Sequence, residues 1–194
     1  MLDQMVRDIK EKGWSFRENI LTAHDMSLIN GFFNSHRKEF GPAMVGKGQS
    51  RQRIESVRGD HTFWIDPLNP PSEFARPLQI LEELKSVLNR ELFLGAKEYE
   101  CHLAYYEPGS FYQKHVDRFA DDSSRVLSFV FYLHQNWHSG DGGELVLYGE
   151  NEEVISPLPG SLIVFLSDGL PHEVRPAKIE RRSFTGWMHS KIIY

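Results

Sequence analysis

His115-Val116-Asp117 and His172 are the residues of this chain whose types and spacing could do chemistry. On a strand, residues i and i+2 point to the same face, so an imidazole and a carboxylate two positions apart can converge on one ion. By itself His-x-Asp is a weak signal, because it often marks no more than a surface pair. His172 stands 55 positions after Asp117, in Leu-Pro-His-Glu-Val, behind an apolar run (161–166, SLIVFL) that would return it across a barrel. Two histidines and one carboxylate, with coordination positions left over, form the facial donor set of non-haem iron(II) oxygenases. Zinc more often takes three histidines or cysteines, although hydrolytic zinc sites of this composition exist. The three side chains therefore leave the metal open.

Downstream runs Arg181-Arg182-Ser183-Phe184-Thr185-Gly186-Trp187. Strand alternation puts Arg181, Ser183, Thr185 and Trp187 on one face and Arg182 on the other. A guanidinium fork with a hydroxyl beside it suits the far carboxylate of a small dicarboxylic acid. A surface arginine pair on a terminal strand is the plainer reading, and the metal donors upstream weigh against it.

These residues need elements to position them. From about residue 97 the apolar period is two, with strands expected at 99–106, 111–117, 125–134, 143–148, 152–156, 161–166, 172–176 and 182–190. Turn-forming EPGS, DDSS, HSGDGG, GEN and PLPG separate them. So many short strands predict a sandwich or jelly roll with an open mouth between its sheets. Residues 1–95 instead carry three helical patterns: Leu2 to Ile9, a segment after the N-cap candidate Thr22, and Ser72 to Leu92 with a leucine stripe. Between the second and third lies GPAMVGKGQSRQR (41–53), expected as a mobile loop, followed by a strand-like RGDHTFWI (58–65). The fold expected is mainly β with α: one domain over 1–194, with helical support and a substrate loop in 1–96 and a β core in 97–190.

Bulk properties exclude other classes. At 194 residues, 40% hydrophobic and 25% charged, the composition is that of an ordinary globular protein. A formal net charge of −5 with no Lys/Arg-rich run gives no support for a nucleic-acid surface. Cys101 is the sole cysteine, which fits a reducing compartment. The first residues form an amphipathic helix pattern unlike a signal peptide, and no apolar run approaches the roughly 18 residues of a membrane span. A cytoplasmic protein without nucleic-acid or membrane partners is expected, with its oligomeric state open.

The blocks YEPGSFYQKHVD, RVLSFVFYL, GGEL, PGSLIVF, HEVRPA and RRSFTGW, in this order and spacing, resemble the successive strands of prolyl-hydroxylase-type 2-oxoglutarate oxygenases. RGDHTFWI resembles a further signature of the subgroup containing the oxygen-sensing prolyl hydroxylases and their bacterial homologues. The resemblance implies a double-stranded β-helix with iron(II) held by His115, Asp117 and His172. It implies that Arg181, nine positions after His172 and six before Trp187, pairs with the far carboxylate of 2-oxoglutarate, with Ser183 beside it. Tyr132 would donate to that carboxylate, Tyr106 would flank the cosubstrate, and Leu145 and Trp187 would be apolar walls. Arg58, Asp60 and Arg125 would lie near the substrate entrance, and the 41–57 loop would close over it. Asp117 argues against halogenating relatives, which carry a small residue there.

The reaction so implied consumes dioxygen and 2-oxoglutarate and yields succinate, carbon dioxide and a hydroxylated prolyl residue, with ascorbate as a stimulant. A protein substrate is implied, elongation factor Tu being the leading candidate. Another residue or a free amino acid is the enzymatic alternative, and a non-catalytic cupin-like binding module the alternative from a different class. A zinc hydrolase would need a base near the metal, and Glu173, next to His172, points away on a strand. The histidines at 24, 36, 61, 134, 138 and 189 are expected at the surface or in packing; His102 could face inward beside Ala104 and Tyr106, although a structural role is the expectation for it.

Overall fold

Alternation of side chains along the strands decides the layering. The computed structural model describes residues 1–44, 52–117 and 124–193. In it β4 (Glu98–Tyr106) turns Cys101, Leu103 and Tyr105 to one side and His102, Ala104 and Tyr106 to the other. Likewise β6 (Arg125–Tyr132) splits into Leu127, Phe129 and Phe131 against Ser128, Val130 and Tyr132. The third member, β11 (Arg181–His189), gives Phe184 and Met188 to the first side and Arg181, Ser183, Thr185 and Trp187 to the second. One side is a wall of large apolar groups that needs covering; the other is mixed and faces a second sheet.

Three helices supply the cover. α1 (Leu2–Lys12) ends at Gly13, whose φ of 81° is the left-handed conformation glycine adopts readily. α2 (Ala23–Ser35) starts in a reciprocal capping box: Thr22 accepts from the Asp25 amide and the Asp25 carboxylate accepts from the Thr22 amide. α3 (Ala75–Leu92) buries Leu78, Leu81, Leu84 and Leu88, spaced three and four apart, in the same cluster as the apolar wall.

The remaining strands are β1 (Trp14–Arg17), β2 (Gly41–Pro42), β3 (His61–Ile65), β5 (Tyr112–His115), β7 (Leu145–Tyr148), β8 (Glu152–Ile155), β9 (Leu162–Leu166) and β10 (His172–Val174). The larger sheet runs β1-β9-β6-β11-β4-β3-β2 and the smaller β5-β10-β7-β8, with all pairings antiparallel. Tyr106, Val130, Tyr132, Ile163 and Phe165 of the larger sheet meet Leu145, Leu147, Ile155 and Val174 of the smaller in one buried cluster. Two facing antiparallel sheets in this strand order make a jelly roll with helical backing, as expected.

The strands expected after residue 97 all form, most of them one or two residues shorter. Three local differences stand out. The first helix runs on past Ile9 to Lys12. Trp14–Arg17, not anticipated as a strand, pairs with β9, since four residues are too few to display a period of two. Gly41–Pro42, read as the start of a loop, pairs with β3. Residues 45–51 of the expected substrate loop lie outside the described residues.

Candidate functional site

The His-x-Asp pair and the distant histidine do converge. His115 closes β5, His172 opens β10, and these two strands are neighbours with the two histidines directly opposite each other. Asp117 follows β5 by two residues. Its Oδ1 lies 3.6 Å from His115 Nε2, and its Oδ2 lies 3.4 Å from His172 Nε2. One ligand atom from each side chain falls within 4.8 Å of the others, and among the described residues this is the one cluster that could hold a metal ion.

Each donor is held in place by the chain around it. His115 Nδ1 is 2.7 Å from the Gln113 carbonyl oxygen and His172 Nδ1 is 3.1 Å from that of Leu170. A carbonyl can only accept, so both Nδ1 atoms carry a proton and both Nε2 atoms are turned toward the cluster, the arrangement a metal needs. Ser128 donates to Asp117 Oδ2 at 2.6 Å and is itself 2.9 Å from the Ser167 hydroxyl. Burial pushes the Asp117 carboxyl up, but His172, His115 and Ser128 outweigh it and hold the group below the ordinary carboxylate range. Burial keeps His172 below its ordinary value, with His115 adding to the effect. The donors stand as one carboxylate and at least one neutral imidazole, the ionisation states that ligate.

Farther into the barrel the same cavity reaches Arg181, Ser183, Tyr106, Leu145 and Trp187. Arg181 is 3% exposed, and its Nε donates to the Gly143 carbonyl at 2.9 Å. Its Nη1 is 3.4 Å from the Ser183 hydroxyl, and among the described residues no carboxylate pairs with it. Tyr132 Oη is buried and, among the described residues, has no well-formed hydrogen bond; its nearest polar influence is the Arg181 guanidinium, 5.1 Å from the Tyr132 ring centre. A buried cation with no counter-ion among the described residues and a poorly satisfied buried hydroxyl are both costly. Together they fit an anionic ligand that reaches them from the metal end, and a dicarboxylic acid has that shape.

The cavity, about 60 Å³, opens into a groove of about 490 Å³ that also borders His115 and Asp117. Arg58 and Arg125 line this groove, and Asp60 lines the inner cavity. Arg58 is locked onto Asp60 through two hydrogen bonds of 2.7 and 2.6 Å. Arg125 pairs with Glu100 at 2.6 Å and lies 3.7 Å over the Trp187 ring. Burial raises Glu100, but the His189 hydrogen bond and Arg125 bring it down to about 2.

Two further residues stand near the site, and of these Tyr112 carried no expectation of a role there. Tyr112 stacks on His115 with ring centres 3.6 Å apart. His102, read as structural, lines both the cavity and the groove between Trp64 and Trp187, with its buried Nδ1 unpartnered. Strand alternation with Ala104 and Tyr106 had left this inward position open for His102, and the structure takes it. Glu173 does not line the cavity.

Residues 101–189 match the model of the 2OG-Fe(II) oxygenase superfamily. The crystal structure of a Pseudomonas putida prolyl-4-hydroxylase is similar with a TM-score of 0.88 and 37% identity, covering 99% of this chain and 100% of that one. A Trichoplax adhaerens prolyl hydroxylase, solved with a hypoxia inducible factor oxygen degradation domain peptide fragment, is similar at a TM-score of 0.85 and 25% identity, over 97% and 89% of the chains. An uncharacterized PKHD-type hydroxylase of Synechocystis is 30% identical over 133 residues, 59% of this chain, which spans only 43% of that protein's length. This chain belongs to the 2-oxoglutarate- and iron(II)-dependent oxygenase superfamily, among its prolyl-hydroxylase-type members.

Proposed function

We propose that the protein hydroxylates a prolyl residue of a protein substrate, using iron(II), 2-oxoglutarate and dioxygen, with ascorbate as a stimulant. The observation that carries this reading is one cavity with a His-Asp-His cluster at its mouth and an unpaired buried guanidinium at its base. A pure binding module has no use for both ends, and a hydrolase has none for the guanidinium. His115, Asp117 and His172 are the iron ligands in this reading, and Arg181, Ser183 and Tyr132 hold the far carboxylate of 2-oxoglutarate. When bound, iron and 2-oxoglutarate supply the oxidising chemistry: dioxygen is split between succinate, formed with loss of carbon dioxide, and the hydroxyl inserted into a substrate C–H bond.

The chain's own contribution is placement. The 5.1 Å relation of Arg181 to Tyr132 sets one end of the dicarboxylic acid, and the backbone-anchored imidazoles set the other. Tyr106 and Leu145 wall the space between and exclude water from it. The groove bordered by Arg58 and Arg125, of about 490 Å³, is the place for a protein substrate, and the Trichoplax relative is in complex with a peptide fragment. Elongation factor Tu is the leading candidate substrate and the cytoplasm the expected compartment. Among the described residues no helix is long and apolar enough to cross a membrane.

Mass spectrometry of purified elongation factor Tu after aerobic incubation with the protein, iron(II) and 2-oxoglutarate tests the proposal. One added oxygen mapped to proline, and absent without 2-oxoglutarate, is the expected result. Succinate without modification of elongation factor Tu would keep the oxygenase and discard this target. With no succinate at all from iron-loaded protein, a cupin-like binding module becomes the better reading.

A further inference from the structure

His115 is the least protected of the three proposed iron ligands. Its side chain is 18% exposed, against 8% for Asp117 and 5% for His172. It ends a four-residue strand whose pairing with β10 is irregular immediately past the His172–His115 step. The bond from Nδ1 to the Gln113 carbonyl fixes one edge of the imidazole but leaves the ring able to rock about that edge. A metal ligand on so short a support needs its plane held as well.

Resting on the reading of His115 as an iron ligand, we infer that Asp60, Arg58 and Tyr112 form a pillar that positions its imidazole. The three are positioning residues that act on the metal through His115. Tyr112 lies nearly parallel on the His115 ring, with centres 3.6 Å apart and an interplanar angle of 16°. The guanidinium of Arg58 covers Tyr112 at 4.3 Å from its ring centre. Arg58 cannot swing away, because its Nε and Nη2 are both committed to Asp60, which is 2% exposed. Two of its three nitrogens are thus spent within the chain, which argues against a fork held ready for substrate.

The backbone clamps the same pieces together. Gly59 donates to the Phe111 carbonyl at 3.0 Å, and Gln113 donates to that of Val57 at 2.8 Å. A Cβ at residue 59 would come within 3.2 Å of the Ser110 side chain, so glycine permits this close approach. Segment 57–60 therefore braces β5 through both main chain and side chains, although it contributes no metal donor.

Partners that orient a ligating imidazole alter metal affinity by about 10- to 100-fold when removed. The test is cobalt(II) loading of the full chain, following the d–d absorption bands and the rate of cobalt release to excess chelator. Tyr112→Leu is expected to release cobalt at least about tenfold faster and to shift the bands. Tyr112→Phe keeps the ring and is expected to behave as wild type. Arg58→Lys keeps a charge for Asp60 but loses the flat face over Tyr112, so its release rate falls between. Melting of each metal-free variant reports folding separately, and if Tyr112→Leu does not fold, Arg58→Lys decides. Wild-type release rates and bands in Tyr112→Leu or, failing that, in Arg58→Lys would overturn the pillar alone. Wild-type protein that takes up no cobalt would overturn the metal reading, and the pillar with it.

Discussion

Replacing Arg181 by methionine separates two quantities that a structural arginine would change together. The side chain is 3% exposed, donates to the Gly143 carbonyl, and has no carboxylate partner among the described residues. Without ligand it is a desolvated cation lacking a counter-ion, which costs stability. Methionine has a similar length and no charge, so the metal-free, ligand-free variant should melt no lower than wild type, and a small rise is consistent with the loss of that burden. With 2-oxoglutarate the sign reverses. Losing one partner of a buried, hydrogen-bonded charge pair costs about 2–5 kcal/mol. Taking about 3 kcal/mol, at about 1.4 kcal/mol per tenfold, the KM for 2-oxoglutarate should rise on the order of 100-fold. Because this carboxylate lies away from the reacting end, the contact is made equally in ground and transition states, and kcat at saturating 2-oxoglutarate should be largely kept. The assay is succinate formation across a 2-oxoglutarate series, beside melting curves with and without 2-oxoglutarate and manganese, which blocks turnover. An unchanged KM would refute the reasoning by placing the far carboxylate elsewhere, and so would an unfolded ligand-free variant, by making Arg181 structural.

Other expectations follow from the same geometry. His172→Ala should abolish turnover and cobalt uptake alike, as read by succinate formation and the d–d bands. Ser128→Ala removes the 2.6 Å bond that orients Asp117 and should weaken metal binding about tenfold in a competition titration while the fold survives. Gly186→Ala should cost about 3 kcal/mol or more in denaturant unfolding, because a Cβ there would overlap the Glu100 carbonyl oxygen and press on Phe129 and Cys101. Acid should destabilise the protein early. Burial brings His102 down to about 4, and burial with Arg181 and Arg182 brings His134 down to about 3, both from 6.5. Folded-state values below the unfolded ones mean that their contribution is complete above about pH 6.5 and is lost as the pH falls toward 4 and then 3. For His102 alone the loss by pH 4 is on the order of 3 kcal/mol. Unfolding midpoints across that range check it, and a flat profile from pH 6.5 to 4.5 would contradict it.

The β core was legible in the sequence because both faces of its central strands are constrained. Leu127, Phe129 and Phe131 must meet helices while Val130 and Tyr132 must meet the second sheet, so the strand registers as an almost unbroken apolar run between turn signals. The metal cluster was legible for a related reason: a period of two fixes His115 and Asp117 relative to each other whatever the topology. The pairing of His172 with His115 was not derivable that way, since it depends on β5 and β10 being neighbours; the apolar run before His172 and the order of motif blocks only suggested it. Roles that depend on the next neighbour in space were hidden. Tyr112 stands three positions before His115, a spacing that on a strand alternates to the opposite face, yet the irregular pairing with β10 brings its ring onto the imidazole. Arg58 and Asp60 were expected near the substrate entrance, and their two-point contact with each other could not be read from the sequence.

The two ends of the site belong to different sheets, and this division bears on how the chemistry is kept in register. His115 and His172 stand on the smaller sheet, whose four strands are three or four residues long. Arg181, Ser183, Tyr132 and Tyr106 stand on the central strands of the larger sheet, which three helices back. The distance between a metal on the first set and a carboxylate on the second is therefore fixed by whatever locks the sheets face to face. Leu147, Ile163, Phe165 and Val174 do this by packing, and Phe165 also meets the His172 ring edge-on at 4.6 Å. The Asp117–Ser128 bond does it by polarity, since it joins the segment after β5 to β6. A cavity-forming change such as Ile163→Ala, at a residue that lines neither the inner cavity nor the groove, should then disturb coupling as well as stability. Buried substitutions of this kind cost about 2–5 kcal/mol. The share of that cost borne by the site should appear as 2-oxoglutarate consumed without hydroxylation, because a shifted carboxylate anchor misplaces the reacting end while each sheet alone keeps its shape.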